Sequence, residues 1–327
     1  MRLARVGLAV ILALGILSAP RGAESQPQGK VPRIGVVLQG GPYYEMVEGL
    51  RAGLRGFGLE ERKHFALEIR DLKGDLKAVA QAARDLERDK VNLICSIGAS
   101  VTQPVKQATS EIPIVFSVGV DPVATGLVES FAKPGGRLTG VHRLTRDLTA
   151  KRLEILKEVL PQLRRVVTFY DPANSFAQGS AKLAREAARQ LGIELVERHV
   201  SSVNQLQQGL KALKAGEVDA YFHMPDAMVG SQAQLIIDTA RAKRLPTMFA
   251  DTLIVTQGGL VAYGVSLHEV GRLSAKHVQR VLAGTSPKDL PVESVDRLEL
   301  ALNLRTAREL GLTIPREILL RADKVIE

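Results

Sequence analysis

The amino-acid sequence contains one order of elements twice. Residues 33–97 and residues 165–224 each run as strand, loop, long helix, glycine, strand, helix, strand and loop. Short apolar runs alternating with amphipathic helical stretches are typical of a parallel α/β sheet. The break after the first helix also recurs, as Gly58-Leu59 and then as Gly192-Ile193. The repetition predicts two similar α/β lobes, with a ligand cleft between them that faces strand ends from both.

Composition excludes several classes of protein. The formal charge of the 327 residues is +9, but the basic residues are spread along predicted helices beside acidic ones, which predicts no binding to nucleic acid. Aromatic residues make up only 4% and tryptophan is absent, which argues against a stacking platform for single strands. Cys95 is the only cysteine, so neither an intrachain disulfide nor a cysteine metal site is possible, and its apolar strand predicts a buried core residue.

The N-terminus resembles an export signal. Arg2 and Arg5 precede an apolar core of 14 residues, Val6–Ala19, which is short for a membrane span. We expect residues 1–23 to be a signal peptide cleaved near Ala23, and the mature protein to be periplasmic. The alternative is an uncleaved membrane anchor.

The candidate ligand site follows from the strand ends. In open α/β sheets, ligands bind beyond the carboxyl ends of the strands, so the loops at those ends are expected to face the cleft. The predicted ligand-binding residues are Gln39, Gly40, Ala99, Ser100, Val118 and Asp121 in the first lobe, and Tyr170, Asn174, Ser175, Met224, Asp226 and Asp251 in the second.

The residue types in these loops suit a zwitterion. Backbone N–H groups at Ala99, Ser100 and Ser175 are predicted to hold a carboxylate at helix starts, with Ser100 as a helix cap. An acidic residue (Asp121, Asp226 or Asp251) would pair with an ammonium, and Tyr170 or Tyr43 would stack on an apolar portion. Three acids without a cleft lysine or arginine suggest a cationic group on the ligand. Each residue also has a structural alternative: Asp121 in a turn that starts a helix, Asp251 as a cap, and Asn174 in a turn.

The sequence contains none of the common catalytic motifs. No two of the six histidines form a His-x-x-x-His pair, and the chain has no Gly-x-Ser-x-Gly elbow, no P-loop, and no G-x-G-x-x-G after Leu38. We therefore predict a protein that is not an enzyme and that needs neither a cofactor nor a metal. His223, inside a strand run, is compatible with core packing or with cleft lining.

Several long blocks carry a resemblance to a known family. The opening RIGVVL and the segments Ile112–Val141, Leu148–Asn174 and Leu302–Glu327 are similar to the ABC-transporter substrate-binding family that includes tryptophan/tyrosine-type binding proteins. The resemblance extends over about Val31 to Glu327. It implies a type I periplasmic-binding-protein fold, in which two Rossmann-like α/β lobes with parallel sheets are joined by a three-crossing hinge.

That resemblance also implies a role and a division of the chain. The protein would capture a small molecule, an amino acid or a related small carboxylate, and dock as a monomer on the membrane permease of an ABC importer. Lobe 1 is predicted to contain residues 31–143 and 267–296, and lobe 2 residues 144–266 and 297–327. The main alternative is the ectodomain of a ligand-sensing receptor or a soluble sensor. The effector half of a repressor is disfavoured by the export signal and by the lack of an N-terminal helix-turn-helix.

Overall fold

A computed structural model describes residues 31–143 and 145–327. The predicted signal peptide, residues 1–23, lies outside the described residues. The described chain forms two sheets with helices on both faces of each, so the predicted α/β class is confirmed. No helix in these two ranges combines the length and the hydropathy that a membrane span requires.

The first sheet has six parallel strands in the order β11-β5-β4-β3-β1-β2. Its central strands are buried along their whole length, which explains their continuous apolar runs. The strands are β1 (Arg33–Leu38), β2 (Ala66–Asp71), β3 (Leu93–Ile97), β4 (Ile114–Val118), β5 (Leu138–His142) and β11 (Glu293–Ser294).

The second sheet has seven strands in the order β13-β12-β10-β9-β8-β6-β7. All neighbours are parallel except β10 and β12, which run antiparallel. The strands are β6 (Arg165–Tyr170), β7 (Glu194–His199), β8 (Ala220–Phe222), β9 (Thr247–Phe249), β10 (Val261–Gly264), β12 (Glu299–Asn303) and β13 (Lys324–Ile326).

Four helices cover the first sheet. One face packs against α1 (Tyr44–Gly56) and α10 (Leu267–Leu282), and the other against α2 (Val79–Arg88) and α3 (Ala99–Ala108). Helices α1 and α10 approach closely: a Cβ atom on Gly49 would lie 2.0 Å from the His268 carbonyl oxygen. The approach is possible only because glycine presents no side chain there.

The second sheet is covered in the same way by apolar clusters on its two faces. Its helices are α4 (Thr149–Val159), α5 (Ser175–Leu191), α6 (Val203–Ala212), α7 (Ala227–Gly230), α8 (Ala233–Ala242), α9 (Leu253–Thr256), α11 (Leu304–Leu310) and α12 (Arg316–Arg321). Alanines line the buried face of α5, which allows the helix to lie close against α4 and the sheet.

The chain passes between the two sheets three times. The first crossing lies between β5 and α4, the second between β10 and α10, and the third between β11 and β12. The lobe division given above, with its individual boundaries, stays a prediction. We keep the names lobe 1 and lobe 2 for the units around the first and second sheets.

The facing ends of the two lobes touch. A Cβ atom on Gly41 in lobe 1 would lie 2.4 Å from the Ser231 carbonyl oxygen in lobe 2, and one on Gly74 would lie 3.0 Å from the Ser231 Oγ. Contacts this short leave no water layer between the two loops and α7. The structure therefore has the cleft in a closed arrangement.

Three local predictions were wrong. Ser100 does not cap α3, because Gly98 takes the N-cap position with φ 100° and the helix begins at Ala99. No helix follows Asp121-Pro122: turns do, and the Asp121 carboxylate accepts from the Val123 and Ala124 N–H groups. Strand β11 lies in a stretch expected to be a linker, and β13 was not foreseen.

Candidate functional site

A small closed pocket lies between the lobes, at the carboxyl ends of strands from both sheets. The volume open to the centre of a water molecule is about 60 Å³, enough for several atoms of a ligand but not for bulk solvent. Its polar and aromatic walls come from Tyr43, Ser100, Arg143, Thr145, Phe176, His223, Phe249 and Asp251. We call it the inner pocket.

Arg143 brings an unpaired positive charge to this pocket. It is the first residue after β5, and its backbone N–H donates to the Val118 carbonyl at 3.0 Å. The residue is only 7% exposed, and its Nε has no hydrogen-bond partner. Among the described residues, Arg143 forms no ion pair within 4.0 Å. Burial lowers its pKa, which shows that the charge is held away from water without full compensation.

Asp251 brings the opposite charge. It follows β9, is 9% exposed, and accepts a hydrogen bond at Oδ1 from the Leu253 N–H at 3.0 Å. No atom in the described part of the chain forms a hydrogen bond with its Oδ2. Burial raises the pKa of Asp251 to about 7, against the opposing effect of that hydrogen bond and of Arg143. A carboxyl with this pKa changes charge near neutral pH.

The remaining titratable walls are neutral. Burial raises the pKa of the Tyr43 phenol to about 12, so it offers an O–H group at neutral pH. Burial lowers the pKa of His223 to about 3, and its Nδ1 lies 3.1 Å from the Tyr221 hydroxyl oxygen. The His223 ring stacks on Phe249 with centroids 5.5 Å apart. Together with Phe176, these rings form an apolar side of the pocket.

A larger groove adjoins the inner pocket. Its volume open to a water centre is about 740 Å³, and it shares Ala99, Ser100 and Phe176 with the inner pocket. Arg146, Asn174 and Ser175 are among its other walls. The shared walls place this outer groove directly beside the inner pocket.

Five of the twelve predicted ligand-binding residues lie in these two spaces, and Tyr43, one of the two tyrosines expected to stack on the ligand, lines the inner pocket. Ala99 and Ser100 line both, Asp251 lines the inner pocket, and Asn174 and Ser175 line only the outer groove. The side chain of Asn174 caps α5 and donates to Asp226, so its structural alternative also applies.

Two of the predicted acidic residues, Asp226 and Asp121, accept hydrogen bonds from neighbouring residues of the protein itself. Asp226 is 1% exposed, and its oxygens accept from the Val229 N–H, the Asp171 N–H and the Asn174 Nδ2, each at 3.1 Å. With both oxygens engaged, Asp226 is not available to pair with an ammonium. The Asp121 carboxylate likewise stabilises its own turn and lines neither space.

The other predicted residues lie outside both spaces. Val118 and Met224 are core residues of the first and second sheets. The Tyr170 hydroxyl donates to Glu197 at 2.6 Å and contacts Arg185 and His199. Tyr170 is only 2% exposed and lines neither space, so its ring faces the core and not the cleft. The remaining two precede α1: Gln39 is buried with an unpartnered amide, and Gly40 packs against Asp71.

Sequence reasoning missed Arg143, Thr145, Phe176 and Phe249, and the expectation that the cleft has no arginine was wrong. Arg143 could have been found, because it follows a predicted strand in the same way as the chosen residues do. The two phenylalanines carry no signal that distinguishes them from core residues.

The chain forms two α/β lobes around a closed cleft, and the cleft contains two opposite charges that form no ion pair with each other. These features define a binding protein with the type I periplasmic-binding fold. The family model described as ABC transporter substrate binding protein matches residues 33–326, so the chain belongs to that family. Proteins of this family are substrate-binding components of ABC transporters, which bind a small molecule outside the cytoplasm and work with a membrane permease.

Known relatives agree with this assignment. The tyrosine-binding protein of Clostridioides difficile (strain R20291) is 25% identical over 267 residues, which cover 81% of this chain and 76% of the relative. A conserved domain protein from Vibrio cholerae O1 biovar El Tor has a TM-score of 0.80 and 28% identity, covering 90% of this chain and 100% of that one. A Streptococcus pneumoniae ABC domain in complex with L-Trp has a TM-score of 0.78 and 24% identity, covering 90% and 99%.

Proposed function

We propose that this protein is the exported solute-binding component of an ABC importer, and that its ligand is an amino acid or a related small carboxylate with an apolar side chain. One observation carries the proposal: Arg143 and Asp251 face the same closed pocket, each with an unsatisfied polar atom, and no ion pair joins them. Buried charges are normally paired, so two of opposite sign left unpaired in one pocket indicate a zwitterionic partner.

The carboxylate of the ligand would bind at Arg143. A guanidinium is planar and can donate two parallel hydrogen bonds to a carboxylate. The N–H groups at the start of α3, at Ala99 and Ser100, line the same pocket and favour negative charge. The start of α3 thus keeps the predicted role of binding the carboxylate, and Arg143 adds a side chain that the sequence prediction did not include.

The ammonium of the ligand would bind at Asp251, through the free Oδ2. A cation there favours the ionised carboxylate and lowers its pKa from about 7 towards the usual range. The side chain of the ligand would then lie against Phe176, Phe249 and the neutral His223 ring. A ligand with an aromatic ring is supported by two similar proteins: one is named a tyrosine-binding protein, and the other has a structure in complex with L-Trp.

Closure of the lobes links binding to transport. The pocket has walls from both lobes, so a ligand held there stabilises the closed arrangement over the open one. A permease that docks on the closed form would then accept loaded protein in preference to empty protein. The predicted export signal would place the protein on the correct side of the membrane for that role.

The test is native mass spectrometry of the protein as purified, and again after unfolding and refolding. We expect a released molecule with the mass of an amino acid or small carboxylate, and rebinding of that molecule by calorimetry. L-tyrosine, L-tryptophan, L-phenylalanine and L-leucine are the first titrants. A refolded protein that binds no amino acid and no small organic acid would overturn the ligand assignment and favour a sensor or partner-binding role.

A further inference from the structure

Arg152 is a buried arginine without an acidic partner. It lies on α4 and is 1% exposed. Burial, assisted by the positive charge of Arg143, lowers its pKa to about 9, so the guanidinium remains charged at neutral pH. Among the described residues no carboxylate lies within 4.0 Å of it. A charge kept in the interior at this cost indicates a specific task for its hydrogen bonds.

Those hydrogen bonds join two of the interlobe crossings. Arg152 Nε donates to the Tyr263 carbonyl at 2.7 Å, and Nη1 donates to the Thr145 carbonyl at 2.7 Å. Thr145 lies on the first crossing, and Tyr263 is the last residue but one of β10, directly before the second. A single planar guanidinium therefore fixes the spacing of the two crossings on the side of lobe 2.

The same contacts lead to the residue that we assign to carboxylate binding. The Thr145 N–H donates to the Arg143 carbonyl at 2.9 Å, and the Arg143 N–H donates to the Val118 carbonyl at 3.0 Å. Arg143 is thus held between β4 of lobe 1 and the Arg152-bound Thr145 of lobe 2. The backbone of Arg143, from which its side chain enters the pocket lining, is therefore held at both ends of this chain of hydrogen bonds.

Steric contacts at the crossings allow little adjustment. A Cβ atom on Gly119 in lobe 1 would lie 3.2 Å from Thr145 Cβ. One on Gly264 would lie 2.1 Å from the Ala250 carbonyl oxygen and 3.4 Å from Arg152 Nη2. Thr145 therefore has a neighbour on each side, and the position of its carbonyl is set by Arg152.

We infer that Arg152 is a positioning residue for ligand recognition: by holding the Thr145 and Tyr263 carbonyls, it aims Arg143 at the ligand carboxylate in the closed cleft. This inference rests on the proposed function, because it takes the carboxylate as the partner of Arg143. A role only in the packing of lobe 2 would affect all ligands equally, whereas a positioning role affects the carboxylate contact selectively.

The experiment compares Arg152→Lys, Arg152→Met and the wild type. Lysine keeps the charge but cannot hold two carbonyls in one plane, and methionine keeps the volume without hydrogen bonds. Arg189→Met is the control, since Arg189 is an exposed α5 residue that, within residues 31–143 and 145–327, forms an ion pair only with Glu186. Calorimetry measures the Kd for L-tyrosine and for L-tyrosinamide, which lacks the carboxylate charge.

We expect both Arg152 variants to weaken L-tyrosine binding by on the order of tenfold or more, and L-tyrosinamide binding by less than about threefold. The control should match the wild type for both ligands. Equal losses for the acid and the amide, or no loss in Arg152→Lys, would overturn the inference. If Arg152→Met does not fold, Arg152→Lys decides the result alone.

A second measurement separates this inference from the proposed function. If the wild type binds no amino acid, the ligand assignment fails, and hydrogen exchange of the unliganded protein then tests Arg152. In Arg152→Lys, amides of residues 145–148 and 264–267 should exchange on the order of tenfold faster, while β6 is unchanged. Unchanged exchange at both crossings would overturn the positioning role.

Discussion

The free carboxylate oxygen of Asp251 makes the empty pocket unfavourable for folding, and Asp251→Asn measures by how much. The amide keeps the shape of the side chain and can still accept the hydrogen bond from the Leu253 N–H at Oδ1. In the folded protein the pKa of Asp251 rises from 3.8 to about 7. A raised pKa contributes stability that is complete below pH ~4 and is lost as the pH rises through about 7.

The expected change in folding stability follows from that pKa shift. Each pH unit corresponds to about 1.4 kcal/mol, so the unliganded wild type loses about 4 kcal/mol between pH ~4 and pH ~8 through this group. The asparagine variant carries no charge and keeps that stability. We expect it to be more stable than the wild type at pH 8, by roughly 10 °C in Tm for a unit of this size, and to match it at pH 4. Binding of L-tyrosine should weaken by on the order of 100-fold.

The assay is calorimetric unfolding of the ligand-free proteins at pH 4, 6 and 8. Asp121→Asn is the control, because it makes the same chemical change at a carboxylate whose Oδ1 accepts from the Val123 and Ala124 N–H groups, and an asparagine oxygen can accept both of these hydrogen bonds. That variant should match the wild type within about 1 kcal/mol at all three pH values. The reasoning is refuted if Asp251→Asn is no more stable than the wild type at pH 8, or if its advantage is the same at pH 4.

Three further predictions concern the site and the helix packing. Arg143→Gln should weaken L-tyrosine binding by on the order of 100-fold in calorimetry while raising the Tm of the empty protein, since it removes an unpaired buried charge; a fall in both would contradict the assigned role. Because the pKa of Asp251 is about 7, its carboxylate becomes protonated below that pH and can no longer pair with an ammonium. The affinity for L-tyrosine should therefore fall by up to about tenfold for each pH unit below 7. Affinity for 3-(4-hydroxyphenyl)propanoate, which has no ammonium, should not fall, and parallel pH profiles would refute the pairing. Gly49→Ala should destabilise by about 3 kcal/mol in denaturant unfolding, because its Cβ would meet the His268 carbonyl. Gly56→Ala on the same helix is the control: its Cβ would meet no atom within 4 Å, so the change should be neutral or stabilising by about 0.5 kcal/mol. If the two substitutions changed the free energy of unfolding equally, the close approach of α1 and α10 would be excluded as the cause.

Most strands and helices of the fold could be predicted from the sequence. Strands buried on both faces, such as β3 and β4, must be apolar throughout, and amphipathic helices show a period of 3.6, so both leave a local pattern. The elements that escaped prediction lack such a pattern. Strand β11 has two half-buried residues, and β13 is mostly exposed, so neither needs an apolar run. Both exist because an edge of a sheet is available for pairing.

The candidate site was predictable as a place but not as a set of side chains. The rule that ligands lie beyond strand ends pointed to the edge of each sheet where the inner pocket lies, and Ala99, Ser100 and Asp251 line that pocket. It did not separate residues that face the pocket from those that support the loops. Arg143 follows the same rule and was passed over, because nothing local marks an arginine as unpaired.

Asp226 and Asp251 are two residues that the sequence cannot distinguish but the tertiary structure can. Each follows a strand of the second sheet and precedes a short helix, so the sequence assigns them the same role. In the fold, Asp171 and Asn174 approach Asp226 from more than fifty residues away and engage its Oδ2, whereas Oδ2 of Asp251 remains free. The helices and strands, and the sheet edge at which we propose that a ligand binds, can be inferred from the sequence because the elements leave periodic patterns along the chain. Which charge is left for the ligand depends on the folded chain, because the hydrogen-bond partners of each carboxylate come from residues distant in sequence.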